Sequence, residues 1–164
     1  MSKIQQGAVL VIVAIFAANI AYGQTSSTVF GSMVNGQPQL SISQATLIAA
    51  FEDEFNDGSV ISTVAIENFA SSGNPAKYWL VASGKKSDTL SRKMAVELDL
   101  NNGEFRTKGY RNSCSGNWCS ECAFVRVDGG GITGCECKDW ISFGCTHTIS
   151  TEARRGGYGV GTLP

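Results

Sequence analysis

The sequence predicts an α+β protein in which one amphipathic helix packs on a four-stranded antiparallel sheet, followed by a small disulfide-rich β module. Three observations predict it. Apolar residues recur at every fourth position in Leu47, Phe51 and Phe55. Four β-forming runs separated by turn residues fill residues 59–110, and all six cysteines lie between Cys114 and Cys145.

Taken in order, residues 1–23 read as a signal peptide. Lys3 is the only charge there, the apolar run Gly7–Ala21 follows it, and Ala21-Tyr22-Gly23 places small residues before Gln24. That order of charge, apolar run and small residues marks a secretory leader. The apolar run is 15 residues long and carries Asn19, whereas about 20 are needed to span a bilayer, so no membrane span is expected after cleavage. The remaining chain has 12 basic and 14 acidic residues, a net charge of −2. Its basic doublets, Lys85-Lys86, Arg92-Lys93 and Arg154-Arg155, are isolated and do not make the basic stripe that nucleic-acid binding needs.

Residues 24–40 read as a lead-in with at most one short strand, and residues 41–110 as the helix-plus-sheet domain. Ser41 and Gln44 have the spacing of a capping box, which satisfies the open amides of a helix start. The predicted helix spans 41–57, with Leu47, Ile48, Phe51 and Phe55 as its apolar stripe and Gly58 as its stop. Glu52, Asp53, Glu54 and Asp57 read as its solvated face. Val60, Val64 and Ile66 open the strands, and Tyr78-Trp79-Leu80-Val81-Ala82 is a dense β-forming run, with Trp79 expected beneath the helix. Met94, Val96, Leu98 and Leu100 alternate with Ala95, Glu97 and Asp99, the period of a half-buried strand. Asn101-Asn102-Gly103 supplies a tight turn, and Phe105 and Thr107 lead a last strand to Tyr110. This order of one helix and then four antiparallel strands resembles the helix-on-curled-sheet arrangement of cystatins. Their glutamine-valine-glycine loop is absent, the nearest segment being Val81-Ala82-Ser83-Gly84, so the resemblance implies a fold and no activity.

Residues 113–150 read as a cysteine module, with the pattern Cys114-x4-Cys119-x2-Cys122-x12-Cys135-x-Cys137-x7-Cys145. A piece of under about 40 residues rarely folds on its own core, and an even cysteine count in an exported chain points to disulfides. Cys114, Cys119, Cys122, Cys135, Cys137 and Cys145 are therefore the predicted disulfide residues. Cys135 and Cys137 are too close to bond each other and should reach back to Cys114, Cys119 or Cys122. Six cysteines allow 15 pairings, and spacing does not choose among them. Phe124–Val127 and Ile132 flank Asp128-Gly129-Gly130-Gly131 as a small hairpin, and residues 151–164 read as a flexible tail.

Two other chemistries fit the same sulfurs. Trp118-Cys119-Ser120-Glu121-Cys122 resembles the Trp-Cys-x-x-Cys of thioredoxin-like oxidoreductases, which implies a low-pKa thiolate at a helix start. Cys119, Cys122, Cys135 and Cys137 could instead ligate zinc or an iron–sulfur cluster as four thiolates. His147, the only histidine, has no nucleophile motif beside it. The functional expectation is a secreted, non-catalytic binding or inhibitory protein that needs no cofactor. Trp118 and Trp140 are its candidate contacts with an extracellular protein or glycan, because large rigid aromatics anchor interfaces. The alternative is a cysteine-based redox or metal protein.

Overall fold

A computed structural model describes residues 28–69, 75–139 and 144–151. The expected signal peptide, Trp140 and residues 152–164 lie outside them. Nine strands and one helix are formed among the described residues. In chain order they are β1 (Val29–Val34), β2 (Gln37–Leu40), α1 (Gln44–Phe55), β3 (Val60–Asn68), β4 (Tyr78–Ser87), β5 (Leu90–Asn101), β6 (Glu104–Gly116), β7 (Cys122–Val127), β8 (Gly131–Cys137) and β9 (Cys145–Thr151).

The expected α+β fold with cystatin-like order is corrected by this architecture, which is mostly β with a nearly closed, barrel-like sheet. The sheet has seven strands rather than four. Its path is β2-β1-β6-β5-β4-β3, and β9 joins β6 beyond β1. Two strands precede the helix where a lead-in was expected, because Asn35 and Gly36 adopt φ of 51° and 76° and turn β1 back onto β2. The sheet curls until its first and third strands in sequence meet. A Cβ on Gly31 of β1 would fall 2.7 Å from Ile66 Cδ1 of β3 and 2.2 Å from the Gln39 carbonyl oxygen. Only glycine permits that approach.

The helix is shorter than predicted, and its ends differ. Ser43, not Ser41, caps it, its Oγ accepting from the Thr46 amide at 3.2 Å. At the other end Asn56 takes the left-handed conformation and its amide donates to the Glu52 carbonyl. Leu47, Ala50 and Phe51 bury against Phe30, Ile61, Val64, Leu80, Ala82, Met94, Val96, Leu98 and Phe105. This is the core enclosed by the curl.

Most of the acidic face is half-buried and paired rather than free in solvent. Glu52 Oε1 accepts from the Ile61 amide at 3.0 Å, Glu54 pairs with Arg111 of β6, and Asp57 pairs with Arg92 of β5 at 2.9 Å. Asp53 alone of the four is exposed. Burial opposes ionisation of Asp57, but hydrogen bonds from Ser59 and Arg92 outweigh it and hold the carboxyl below its usual range. A carboxyl whose pKa is lower when folded stabilises above the unfolded value, and that contribution is lost as pH falls through the folded one. Asp57→Asn is therefore expected to cost about 1–3 kcal/mol at pH ~7, from lost charge-assisted hydrogen bonds. The gap from wild type should narrow below pH ~4, where ordinary carboxyls protonate. Denaturant midpoints measured across that range check it, and a gap independent of pH would contradict the assignment.

A second core lies on the outer face of the same sheet. Phe69, Trp79, Val81, Ala95, Cys114, Cys119, Cys122, Phe124 and Ile132 form it. The β7–β8 hairpin is a separate two-stranded sheet laid over that face. Trp79 thus packs under the hairpin rather than under the helix. It stacks on Phe69 with ring centroids 6.1 Å apart, and its Nε1 donates to the Gly130 carbonyl at 3.0 Å.

Candidate functional site

The cysteine segment is stitched to the sheet at several points. β6 runs on past Tyr110 through Arg111-Asn112-Ser113, pairing with β5 on one edge and β9 on the other. Those residues are polar yet ordered, since Arg111 binds Glu54 and Asn112 Oδ1 accepts from His147 Nε2 at 2.9 Å. His147, half-buried in β9, is thus held against a buried amide.

Three disulfides use all six cysteines: Cys114–Cys135, Cys119–Cys137 and Cys122–Cys145. The first ties β8 to β6. The second ties the β6–β7 loop to the end of β8, and the third ties the start of β7 to the start of β9. Cys119 and Cys122 are not bonded to each other; their sulfurs lie 4.0 Å apart. Cys122 opens a strand rather than a helix, so the thioredoxin-like arrangement is not formed. The alternative four-thiolate set of Cys119, Cys122, Cys135 and Cys137 is not gathered either. Cys135 is bonded to Cys114 on β6, whereas the sulfurs of Cys119, Cys137 and Cys145 all lie within 4.8 Å of one another.

Trp118 is presented by this scaffold. It is 63% exposed and adopts φ of 55°, a left-handed conformation that bulky side chains rarely take. Its neighbours fix it there. The Asn117 amide donates to the Gly144 carbonyl at 3.1 Å, and the Cys119 amide donates to the Thr89 carbonyl at 2.8 Å. The Cys119 carbonyl then accepts from the Ser91 amide, and the Cys119 side chain is fully buried. Beyond it the Ser120 amide donates to Asp139 Oδ2 at 2.6 Å. Hydrogen bonds from Ser120 hold the Asp139 carboxyl below its usual range. Backbone strain of this kind persists where the surroundings over-determine it, and such positions gather at functional sites.

A concavity of about 840 Å³ opens between Tyr78 of β4, Leu98 of β5, Lys108 of β6 and the β7–β8 turn. Its polar residues neutralise one another. Glu97 lies 3.8 Å from both Lys77 and Lys108, and Lys108 also meets Asp99 at 2.9 Å. The Asp99 hydrogen bond is the main cause that raises the Lys108 pKa.

Comparison with models of known protein families, with curated proteins and with solved structures finds no match. The disulfide use of the six cysteines is legible from their count and spacing, and Trp118 is exposed. The missed partners are Asn112, Asp139, Thr89 and Ser91, polar residues whose sequence neighbourhoods carry no motif. No helix among the described residues is long and apolar enough to cross a membrane, and three disulfides are consistent with an oxidising compartment.

Proposed function

We propose that the protein is exported and acts as a non-catalytic binding or inhibitory module, docking an extracellular protein or glycan through Trp118. The observation that carries this reading is a large aromatic, 63% exposed, held at positive φ by a cross-linked loop. Such a side chain loses little conformational entropy on binding, so most of its contact area contributes to affinity. Arginine, tryptophan and tyrosine dominate binding hot spots for that reason, each worth about 2 kcal/mol or more.

Trp118→Ala is expected to leave the denaturant midpoint close to wild type, because the side chain covers little of the core. Binding to cell-surface glycans or ectodomains recognised by wild type should fall at least about tenfold, the equivalent of 1.4 kcal/mol. A titration of both proteins against the same immobilised ligand makes the comparison. Equal affinities would remove Trp118 from the function. The secretory part of the proposal has its own check, since the exported chain should begin at Gln24 and titrate no thiol when denatured without reductant.

A further inference from the structure

The three disulfides are not equivalent in their surroundings. Cys119 Sγ lies 3.5 Å from Cys145 Sγ and 4.0 Å from Cys122 Sγ, the two sulfurs of a different bond. Cys119, Cys137 and Cys145 form a group whose sulfurs are all within 4.8 Å of one another. Cys122 Sγ, outside that group of three, adjoins it through Cys119 and through its own bond to Cys145. Cys135 Sγ is instead bonded to Cys114, with the Ser113 carbonyl 3.7 Å away.

Zinc–thiolate bonds are about 2.3 Å, which places the corners of a tetrahedral four-sulfur site roughly 3.8 Å apart. Two of the four non-bonded separations, Cys119–Cys145 and Cys119–Cys122, bracket that spacing. Opening each disulfide would move its sulfurs from about 2.0 Å to that distance by side-chain rotation. Contacts that do not involve sulfur also help to hold the backbone. Cys119 is fixed to Thr89 and Ser91, and the Cys122 amide donates to Ser91 Oγ at 3.1 Å. Cys137 is the register partner of Cys122 across the hairpin, and Cys145 pairs with Gly116 of β6.

We propose that Cys119, Cys122, Cys137 and Cys145 form a redox-controlled tetrahedral zinc site, filled when their two disulfides are reduced. Each disulfide takes two electrons and two protons from an external dithiol, which closes to its own disulfide. One Zn²⁺ then replaces four thiol protons, which leave to solvent. In the metal-free dithiol state the carbonyls of Glu121 and Glu136, 3.2 Å from Cys119 Sγ and 3.5 Å from Cys145 Sγ, receive two of those protons in hydrogen bonds. Metal uptake therefore weakens as pH falls. Oxidation by two equivalents of peroxide, each reduced to two waters, restores both disulfides and expels the ion. The ligand set differs from the one that spacing suggests, with Cys145 in place of Cys135.

The test uses the full exported chain, reduced without oxygen by a water-soluble phosphine and titrated with Co²⁺ and then Zn²⁺. One Co²⁺ per chain is expected, with thiolate charge-transfer bands and the intense visible bands of tetrahedral cobalt, lost on adding Zn²⁺. Alkylation of the zinc-loaded protein followed by peptide mapping identifies the ligands without any substitution. Cys119, Cys122, Cys137 and Cys145 should be protected until a chelator is added, with Cys114 and Cys135 alkylated or still joined to each other. Cys114→Ser with Cys135→Ser should keep the cobalt spectrum, and Cys137→Ser with Cys145→Ser should lose it. Less than one ion per chain, an octahedral spectrum, or protection that includes Cys135 would each overturn the proposal.

Discussion

Truncating Phe105 to alanine is expected to cost about 3–5 kcal/mol, the usual range for a buried aromatic. Phe105 is fully buried, and its ring lies 4.9 Å from that of Tyr78. It also sits where β6 pairs with two strands at once, opposite Gly31 of β1 and Leu100 of β5. A cavity there loosens the strand around which the curl closes. The measurement is a denaturant titration of wild type and Phe105→Ala. Ile149→Ala serves as the control, because its side chain is 62% exposed and surface substitutions usually stay within about 0.5 kcal/mol. A Phe105 cost below about 1.5 kcal/mol, the scale of a single methylene change, would mean that the enclosed core is not packed as described.

The second large effect is expected at the Cys114–Cys135 bond. Cysteines 21 residues apart in sequence are joined by it, and loop-closure entropy for a loop of that size gives roughly 3 kcal/mol. Replacing both cysteines with alanine should lower global stability by about that amount. Its effect should be concentrated in β7 and β8. A two-stranded hairpin is marginal by itself, and among the described residues β7 and β8 share no strand pairing with the larger sheet. Amide hydrogen exchange should accelerate over residues 122–137 far more than over 78–82. Uniform acceleration would show instead that hairpin and sheet unfold as one unit.

The same residue pair was read in one place and missed in another. Asn102-Gly103 is legible as a turn, and both residues have positive φ. Asn35-Gly36 has the same chemistry and the same conformation, but its flanking strands are short and uncharged, with no alternation to mark them. The closure of the sheet was hidden with them, because it depends on β1 meeting β6 from more than 70 residues away. The helix was legible because its stripe is local. Its acidic face was misread because Arg92 and Arg111, which claim Asp57 and Glu54, come from distant strands. The cysteine roles followed from count and spacing, whereas their pairing needed the register of β6, β7, β8 and β9.

The run Trp79–Ala82 is buried on both faces, and this shapes how the chain must find its fold. Alternation of apolar and polar residues normally tells a strand which neighbour to meet, since a one-residue slip would expose its greasy side. Here a slip exchanges one greasy side for another. Registry must come from shape and from single polar anchors, above all the indole of Trp79 seeking the Gly130 carbonyl. Misaligned β4 would be a comfortable kinetic trap, and cross-links that close before the hairpin docks would lock the error in place.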